Sequence, residues 1–175
     1  SEVDEVTREV EELIREVEKL SEDVIRTSKE LAKRAEKLSR EVIKRSEELI
    51  DEVRRDRDRR KLDEVVKRIE DLHRRVLEEL ERIVREIEKL HRETVKRLRE
   101  VLERVRRLLE EVLERVPNVK KKLEDVLREI AKKVREIEER DRKVVEEIRE
   151  ILKRLEDENR EVLKKIRRIA EEIRR

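Results

Sequence analysis

The chain has 175 residues, and its 52 basic and 50 acidic side chains leave a net charge of only +2. It contains no glycine, cysteine, phenylalanine, tyrosine or tryptophan, and Pro117 is its single proline. So few turn-forming residues exclude a fold of sheets and loops, and the lack of cysteine excludes disulfides and cysteine-ligated metal sites. Basic and acidic residues are finely mixed, which argues against nucleic-acid binding, since that requires a surface of one sign.

Charged residues make up 58% of the chain, a content that on its own would suggest disorder. The apolar residues, however, recur with a helical period along the whole chain, and this combination predicts long helices. No apolar run exceeds two residues, so we expect neither a membrane span nor a signal peptide. We expect a soluble protein, with no native compartment and cytoplasmic when produced recombinantly.

The first predicted helix covers about residues 2–56. Ser1 and Asp4 have the spacing of a capping box. Additional apolar residues widen the stripe toward three per heptad, the breadth that a helix needs to pack against two neighbours. The predicted stripe consists of Val3, Val6, Val10, Leu13, Val17, Leu20, Val24, Ser28, Leu31, Ala35, Leu38, Val42, Ser46, Leu49 and Val53.

A turn is predicted near residues 56–60. The charged segment 54–61 contains no apolar residue, and the stripe resumes after it out of phase. A continuous helix would have kept phase, so a new helix begins here, with Asp56 or Asp58 as its cap. The second helix is predicted over about residues 59–116.

The second break is predicted at Pro117-Asn118. Proline removes a helical hydrogen bond and biases Val116 away from helical dihedral angles. The third stripe, over about residues 119–174, continues in phase with the second, so a single kinked helix remains an alternative.

The three predicted helices imply an all-α fold. Short connections make sequential helices antiparallel, so we expect one long up-down-up three-helix bundle over residues 1–175. Apolar positions repeat every eighteen residues, as in Val6, Val24 and Val42. Eighteen residues form five turns of an undistorted helix. The repeat therefore predicts nearly straight, untwisted helices.

Near-exact repetition, glycine-free turns, a Glu/Arg/Lys surface and a branched-aliphatic core together resemble a de novo designed, parametrically generated helical bundle. The resemblance covers the whole chain. Such designs often contain buried hydrogen-bond networks that fix helix pairing, and the resemblance implies that role for polar residues within the stripes. Natural spectrin-like repeats differ, since their helices are about half as long and carry aromatic core residues.

Both histidines lie within the second stripe. His73 and His91 are eighteen residues apart, so they share one face of the helix about 27 Å apart. Ser28 and Ser46 have the same separation in the first helix. Ser28 and His91 have residue numbers that add to 119, near the roughly 115 expected for facing residues of this antiparallel pair. Ser46 and His73 give the same total.

Asp141 and Asn159 repeat the eighteen-residue separation in the third helix. Paired with the histidines, their residue numbers add to 232, near the roughly 235 expected for a turn at Pro117. Two buried polar layers are thus predicted. One layer consists of Ser28, His91 and Asp141, and the other of Ser46, His73 and Asn159.

Further hydroxyl groups lie close to the first layer. We place Thr27 and Thr94 beside Asp141, because a buried carboxylate needs hydrogen-bond donors around it. Ser21 and Ser39 repeat with the same separation, and we expect them at the solvated edge of the stripe.

Ser28, His91 and Asp141 have the composition of a catalytic triad. A bundle interior without glycine supplies neither an oxyanion hole nor a substrate cleft, so we expect no enzymatic activity. The two histidines are too far apart to share a metal ion, and one histidine with one carboxylate is too few ligands for zinc. We expect no metal and no cofactor.

The favoured interpretation is a structural scaffold whose layers specify helix register and pairing, because a slipped helix would bury unpaired polar groups. This scaffold requires no partner, nucleic acid or membrane. The alternative is an interaction module within a designed homo- or hetero-oligomer, one that responds to pH through its buried histidines, the second layer being the better candidate. Flanking apolar residues available to a fourth helix are Leu77, Val84, Leu102, Leu109 and Leu113.

Overall fold

The computed structural model describes residues 1–175 and consists of helices and short connections. The three α-helices are α1 (Glu2–Asp56), α2 (Arg59–Arg115) and α3 (Lys120–Arg174). The predicted all-α three-helix bundle is confirmed, and the helix bounds lie within one residue of those expected. No helix combines the length and the apolar content that a membrane span requires.

Local side-chain chemistry accounts for the first two helix starts. The Ser1 hydroxyl accepts a hydrogen bond from the Asp4 N–H at 3.3 Å and donates to the Asp4 carboxylate at 2.9 Å. At the first turn, Asp58 accepts from the Arg60 N–H at 3.0 Å, which makes Asp58 the cap of α2. Arg57 has a φ of 49°, the left-handed conformation that usually ends a helix at glycine.

Pro117 separates α2 from α3. Val116 has φ −132° and ψ 75°, outside the helical region, and the 3₁₀ turn Pro117–Val119 leads into α3. The Val119 N–H donates to the Val116 carbonyl at 3.3 Å. The alternative of one kinked helix is therefore wrong, because Pro117 offers no N–H and restricts the residue before it.

The chain divides into two compact units, and each contains a segment of all three helices. Unit 1 consists of Ser1–Ser28 and Glu88–Glu146, and unit 2 of Lys29–Ile87 and Glu147–Arg175. The assignment of residues 1–175 to a single domain stays a prediction.

In unit 1, α1 and α2 run antiparallel. Arg97 binds Glu16 at 2.8 Å, whereas Arg104, further along α2, pairs with Glu9, which is earlier in α1, at 3.7 Å. Exposed ion pairs contribute about 0.2–1 kcal/mol each, so aliphatic burial supplies most of the stability. The core of unit 1 consists of Val3, Val10, Ile14, Val17, Leu98, Val101, Val105, Leu108, Leu109, Val112, Leu123, Ile130, Val134 and Ile137.

In unit 2, α2 and α3 run antiparallel. Asp63 binds Arg174 at 2.6 Å, and Glu70, one step further along α2, binds the earlier Arg167 at 3.3 Å. The core again consists of aliphatic side chains. Its buried members are Leu49, Ile50, Val53, Leu62, Val66, Ile69, Ile166 and Ala170.

The buried face of α1 differs from the predicted stripe. Leu20 was expected to face the core, but it is 36% exposed, and Leu38 is only half-buried. The adjacent Ser21 and Ser39 point inward instead, both with no exposed surface. A stripe this wide can be centred on either of two rows of residues that are one position apart in the sequence. Hydrophobic periodicity alone favours the row with the larger apolar side chains. Packing among three helices selects the smaller side chains.

Candidate functional site

Unit 2 contains a continuous chain of buried polar side chains, which we name the Asn159 cluster (Ser39, Ser46, His73 and Asn159). Ser46 Oγ lies 2.9 Å from His73 Nε2, and His73 Nδ1 lies 3.0 Å from Asn159 Oδ1. Asn159 Nδ2 donates to Ser39 Oγ and to the Leu155 carbonyl, both at 2.7 Å. The chain of contacts starts and ends on α1 and passes through α2 and α3. All four side chains are fully buried.

Unit 1 contains the corresponding Asp141 cluster (Ser21, Ser28, His91 and Asp141). Ser28 Oγ lies 3.1 Å from His91 Nε2, and Ser21 Oγ donates to Asp141 Oδ1 at 2.6 Å. Arg140 donates to Ser21 Oγ at 3.1 Å. His91 Nδ1 and Asp141 Oδ2 have no hydrogen-bond partner, although both atoms are buried. This cluster therefore consists of two separate pairs.

The structure brings some of the predicted layer residues together and separates others. Ser28 contacts His91, while Ser46, His73 and Asn159 form one chain. Asp141, expected to bind His91, binds Ser21 instead.

The two threonines do not have the expected contact with Asp141. Thr27 is exposed, so its placement beside the first layer was wrong. Thr94 is buried, but its hydroxyl donates to the Leu90 carbonyl of its own helix at 3.0 Å. A threonine within a helix has this acceptor within reach one turn back, and it satisfies the hydroxyl without a partner helix.

Ser21 and Ser39 were expected at a solvated edge, and this was wrong. Both are fully buried and bond directly to α3. A signal for these pairs is present in the sequence. In an up-down-up bundle α1 and α3 are parallel, so facing residues differ by a constant, and both Ser21 with Asp141 and Ser39 with Asn159 differ by 120. Antiparallel sums relate α1 to α2 and α2 to α3, so they leave out these α1–α3 pairs.

Burial shifts the titration of all three ionisable groups toward the neutral form. Burial lowers the pKa of His73, and the hydrogen bond to Asn159 opposes this effect. Burial also lowers the pKa of His91, against the charge of Asp141. Burial raises the pKa of Asp141, opposed by the Ser21 hydrogen bond and by the charges of His91 and Arg140.

The three residues with triad composition do not form a catalytic chain. Ser28 donates its hydroxyl hydrogen to the Val24 carbonyl at 2.7 Å, so this hydrogen is not directed at His91. His91 Nδ1 has no bond to Asp141, and Ser28 has no exposed surface that a substrate could reach. No group of three or more His, Cys, Asp or Glu side chains is arranged to hold a metal ion. The chemistry available to these residues is hydrogen bonding and proton exchange.

Comparison with solved structures identifies a similar protein described as a computationally designed three helix bundle. The TM-score is 0.54 at 19% sequence identity, and the match covers 98% of this chain and 87% of that chain. No protein-family model and no curated protein matches the sequence. At this identity the likeness establishes the fold alone, and the chain is a three-helix bundle.

Proposed function

We propose that this chain is a designed structural scaffold without catalytic activity, in which the two polar clusters specify the register and pairing of the helices. The observation that carries the proposal is the continuous hydrogen-bond chain of the Asn159 cluster, which joins all three helices through His73 and Asn159. The near-exact eighteen-residue repetition and the similar designed bundle support a designed origin.

Buried polar contacts are needed to fix the helix register here, because the aliphatic surface is repetitive. Valine, leucine and isoleucine recur so regularly that a helix shifted by one turn would meet similar apolar partners. A shift of one turn, about 5.4 Å, would separate His73 from Ser46 and Asn159. Each buried polar group left without a partner costs about 1–3 kcal/mol, so alternative registers are disfavoured by several kcal/mol.

The decisive experiment removes the cluster and measures the register. The four substitutions Ser39→Ala, Ser46→Ala, His73→Leu and Asn159→Leu make the layer apolar, and replacing all partners together leaves no unpaired group. Spin labels on cysteines introduced at Glu70 and Arg167 report the α2/α3 register, since these residues form an ion pair and the chain has no native cysteine. We expect one narrow distance distribution in the parent and several distances in the apolar variant.

A matched control carries the same labels with a conservative core change outside the cluster, Ile166→Leu, and should keep the narrow distribution. If the apolar variant also keeps a single narrow distribution, aliphatic packing and turns alone set the register. That result would contradict the proposed role of the cluster. Circular dichroism checks that every variant remains helical.

We also propose that the chain is a self-sufficient monomer. The residues considered as a face for a fourth helix are all at least partly covered within the chain, and Leu109 is 5% exposed. Leu20 is the one exposed large hydrophobic side chain, so no broad apolar patch is left for a partner. Sedimentation equilibrium should give 21.6 kDa, whereas twice this mass would favour the oligomer component.

A further inference from the structure

A groove lies between α1 and α2 in unit 2, and we name it the α1/α2 groove. Its volume is about 600 Å³, within the roughly 300–1,000 Å³ of small-molecule sites. Its apolar floor consists of Leu38, Val42, Leu72 and Val76. Leu38 and Leu72 are only half-buried, so apolar surface is accessible in the groove. Such a floor can bind an apolar group, because contact with it removes apolar surface from water.

The charged side chains that line the α1/α2 groove are mostly basic. Glu79 is bound by two arginines of the lining, Arg34 at 3.9 Å and Arg82 at 2.7 Å. One of the two acidic side chains is therefore already neutralised. The lining has four basic and two acidic residues and a net charge of +2, and its charged members are Arg34, Lys37, Glu41, Arg75, Glu79 and Arg82.

Two of these cations are free. Lys37 and Arg75 are exposed, and neither forms an ion pair. Glu41 is the one acidic residue of the lining without an ion pair. Free positive charge therefore exceeds free negative charge in the groove, which favours an anion.

The repeat-equivalent positions of unit 1, eighteen residues earlier on α1 and eighteen later on α2, have the opposite net charge. There Arg97 pairs with Glu16 at 2.8 Å and with Glu100 at 3.4 Å, so a central cation with two acidic partners replaces the arrangement at Glu79. The charged residues are Glu16, Lys19, Asp23, Glu93, Arg97 and Glu100, with a net charge of −2. The floor positions are occupied by Leu20, Val24, Leu90 and Thr94.

A second groove, of about 590 Å³, lies between α1 and α3 in unit 1. Its lining includes Val10, Ile14, Val126 and Ile130, together with three basic and four acidic side chains. Apolar space of this size is therefore present in both units. The α1/α2 groove differs from the second groove in the sign of its charge.

We propose that the α1/α2 groove binds a free, single-chain amphipathic anion. Its apolar tail lies on the floor, and its anionic head group pairs with Lys37 and Arg75. Burial of the tail favours binding, and the charges of the lining select the sign of the head group. This site does not depend on the proposed role in helix register.

The test is a titration with decanesulfonate below its micelle-forming concentration, followed by methyl NMR of protein labelled at valine, leucine and isoleucine. Methyl signals of the groove floor should shift and show Overhauser contacts to the decyl chain. The repeat-equivalent methyls of Leu20, Val24 and Leu90 should shift much less. Decyltrimethylammonium, which has the same tail with a cationic head group, should bind about tenfold more weakly.

A double substitution tests the two free cations. Lys37→Gln with Arg75→Gln should weaken the binding of decanesulfonate about tenfold. The matched control, Lys19→Gln with Arg99→Gln, makes the same change in net charge in unit 1 and should leave the affinity unchanged. All four residues are exposed and none forms an ion pair, so both variants should fold, which circular dichroism checks.

Three results would overturn the proposal. One is a set of equal methyl shifts in unit 1, at the repeat-equivalent positions or in the second groove, which would indicate general association with apolar surface. Another is equal affinity for decanesulfonate and decyltrimethylammonium. The third is unchanged affinity in the Lys37→Gln/Arg75→Gln variant. The comparison of the two head groups on the parent protein decides the question even if a variant fails to fold.

Discussion

The two polar clusters have nearly the same residues but form different hydrogen-bond networks. Each has two serines on α1 and one histidine on α2, at positions related by the eighteen-residue repeat. On α3 one cluster has Asn159 and the other Asp141. The amide completes a chain through all three helices, whereas the carboxylate leaves two buried atoms without partners. The difference between an NH₂ group and an oxygen atom on α3 thus decides whether all buried polar side-chain atoms of the cluster have hydrogen-bond partners.

The reason lies in donors and acceptors. Asn159 Nδ2 donates to the Leu155 carbonyl of its own helix, but a carboxylate at that place has nothing to donate to a carbonyl oxygen. Asp141 instead accepts a hydrogen bond from Ser21, and Ser21 in turn accepts one from Arg140 at the surface. A buried carboxylate therefore needs donors from outside its layer.

The largest effect is expected from exchanging the α3 residues. Asn159→Asp removes both Nδ2 hydrogen bonds and places a carboxylate against the Leu155 carbonyl, so we expect a loss of about 2–4 kcal/mol at pH 7. Asp141→Asn should stabilise unit 1 by about 1 kcal/mol, because the amide removes a buried charge. Urea unfolding measures both changes. Losses of equal size in the two variants would contradict the difference between the clusters.

Replacing His73 should cost more stability than replacing His91. His73→Leu leaves Asn159 Oδ1 buried without its donor, and we expect a loss of about 2 kcal/mol in urea unfolding. His91→Leu breaks a single contact, because His91 Nδ1 has no partner, and should lose about 1 kcal/mol. Ser28 and Ser46 both keep a bond to a carbonyl of their own helix, so the serines do not add to the difference. A larger loss for His91→Leu would show that its contact with Ser28 is the more important one.

Stability should depend on pH in opposite ways for the two kinds of group. The pKa of His73 is lowered from its ordinary 6.5, so the unfolded chain takes up the proton first and stability falls as pH drops below 6.5. The pKa of Asp141 is raised from 3.8, so its destabilising effect disappears as pH falls through the raised pKa.

Comparing variants isolates these contributions from those of surface carboxylates, which all variants share. Between pH 7 and pH 4.5, the parent should lose less stability than Asp141→Asn, because Asp141 offsets the loss at the histidines. His73→Leu should lose less than the parent, with each fully titrating group limited to about 1.4 kcal/mol per pH unit. Identical losses in all three proteins would show that these buried groups do not control the acid response.

The smallest expected effect concerns the surface next to the clusters. Arg140→Gln removes the donor to Ser21 and a charge that lowers the pKa of Asp141, and we expect a loss of about 0.5 kcal/mol. Glu158→Gln is the matched control, since Glu158 is the exposed residue before Asn159. Its effect on the free energy of urea unfolding should be smaller than that of Arg140→Gln. A larger effect for Glu158→Gln would show that Arg140 does not stabilise the Asp141 cluster.

Much of the candidate site was predictable because helical repeats convert sequence separation into spatial position. The eighteen-residue separation and the antiparallel sums identified the contacts of Ser28 with His91 and of Ser46 with His73. Ser21 and Ser39 were missed because a polar residue beside a leucine resembles the edge of a stripe. They pair with Asp141 and Asn159 through the parallel relation of α1 and α3, which antiparallel sums do not capture.

By itself the sequence determined the three helices, their bounds and the break at Pro117. These features depend on local chemistry, namely periodicity, capping side chains and the missing N–H of proline. Only the tertiary structure decided that Ser21 and not Leu20 faces the core, that Thr94 bonds to a carbonyl of its own helix, and that Asp141 bonds to Ser21 and not to His91. Those outcomes depend on how three helices share limited space and few donors, which no spacing within one helix specifies.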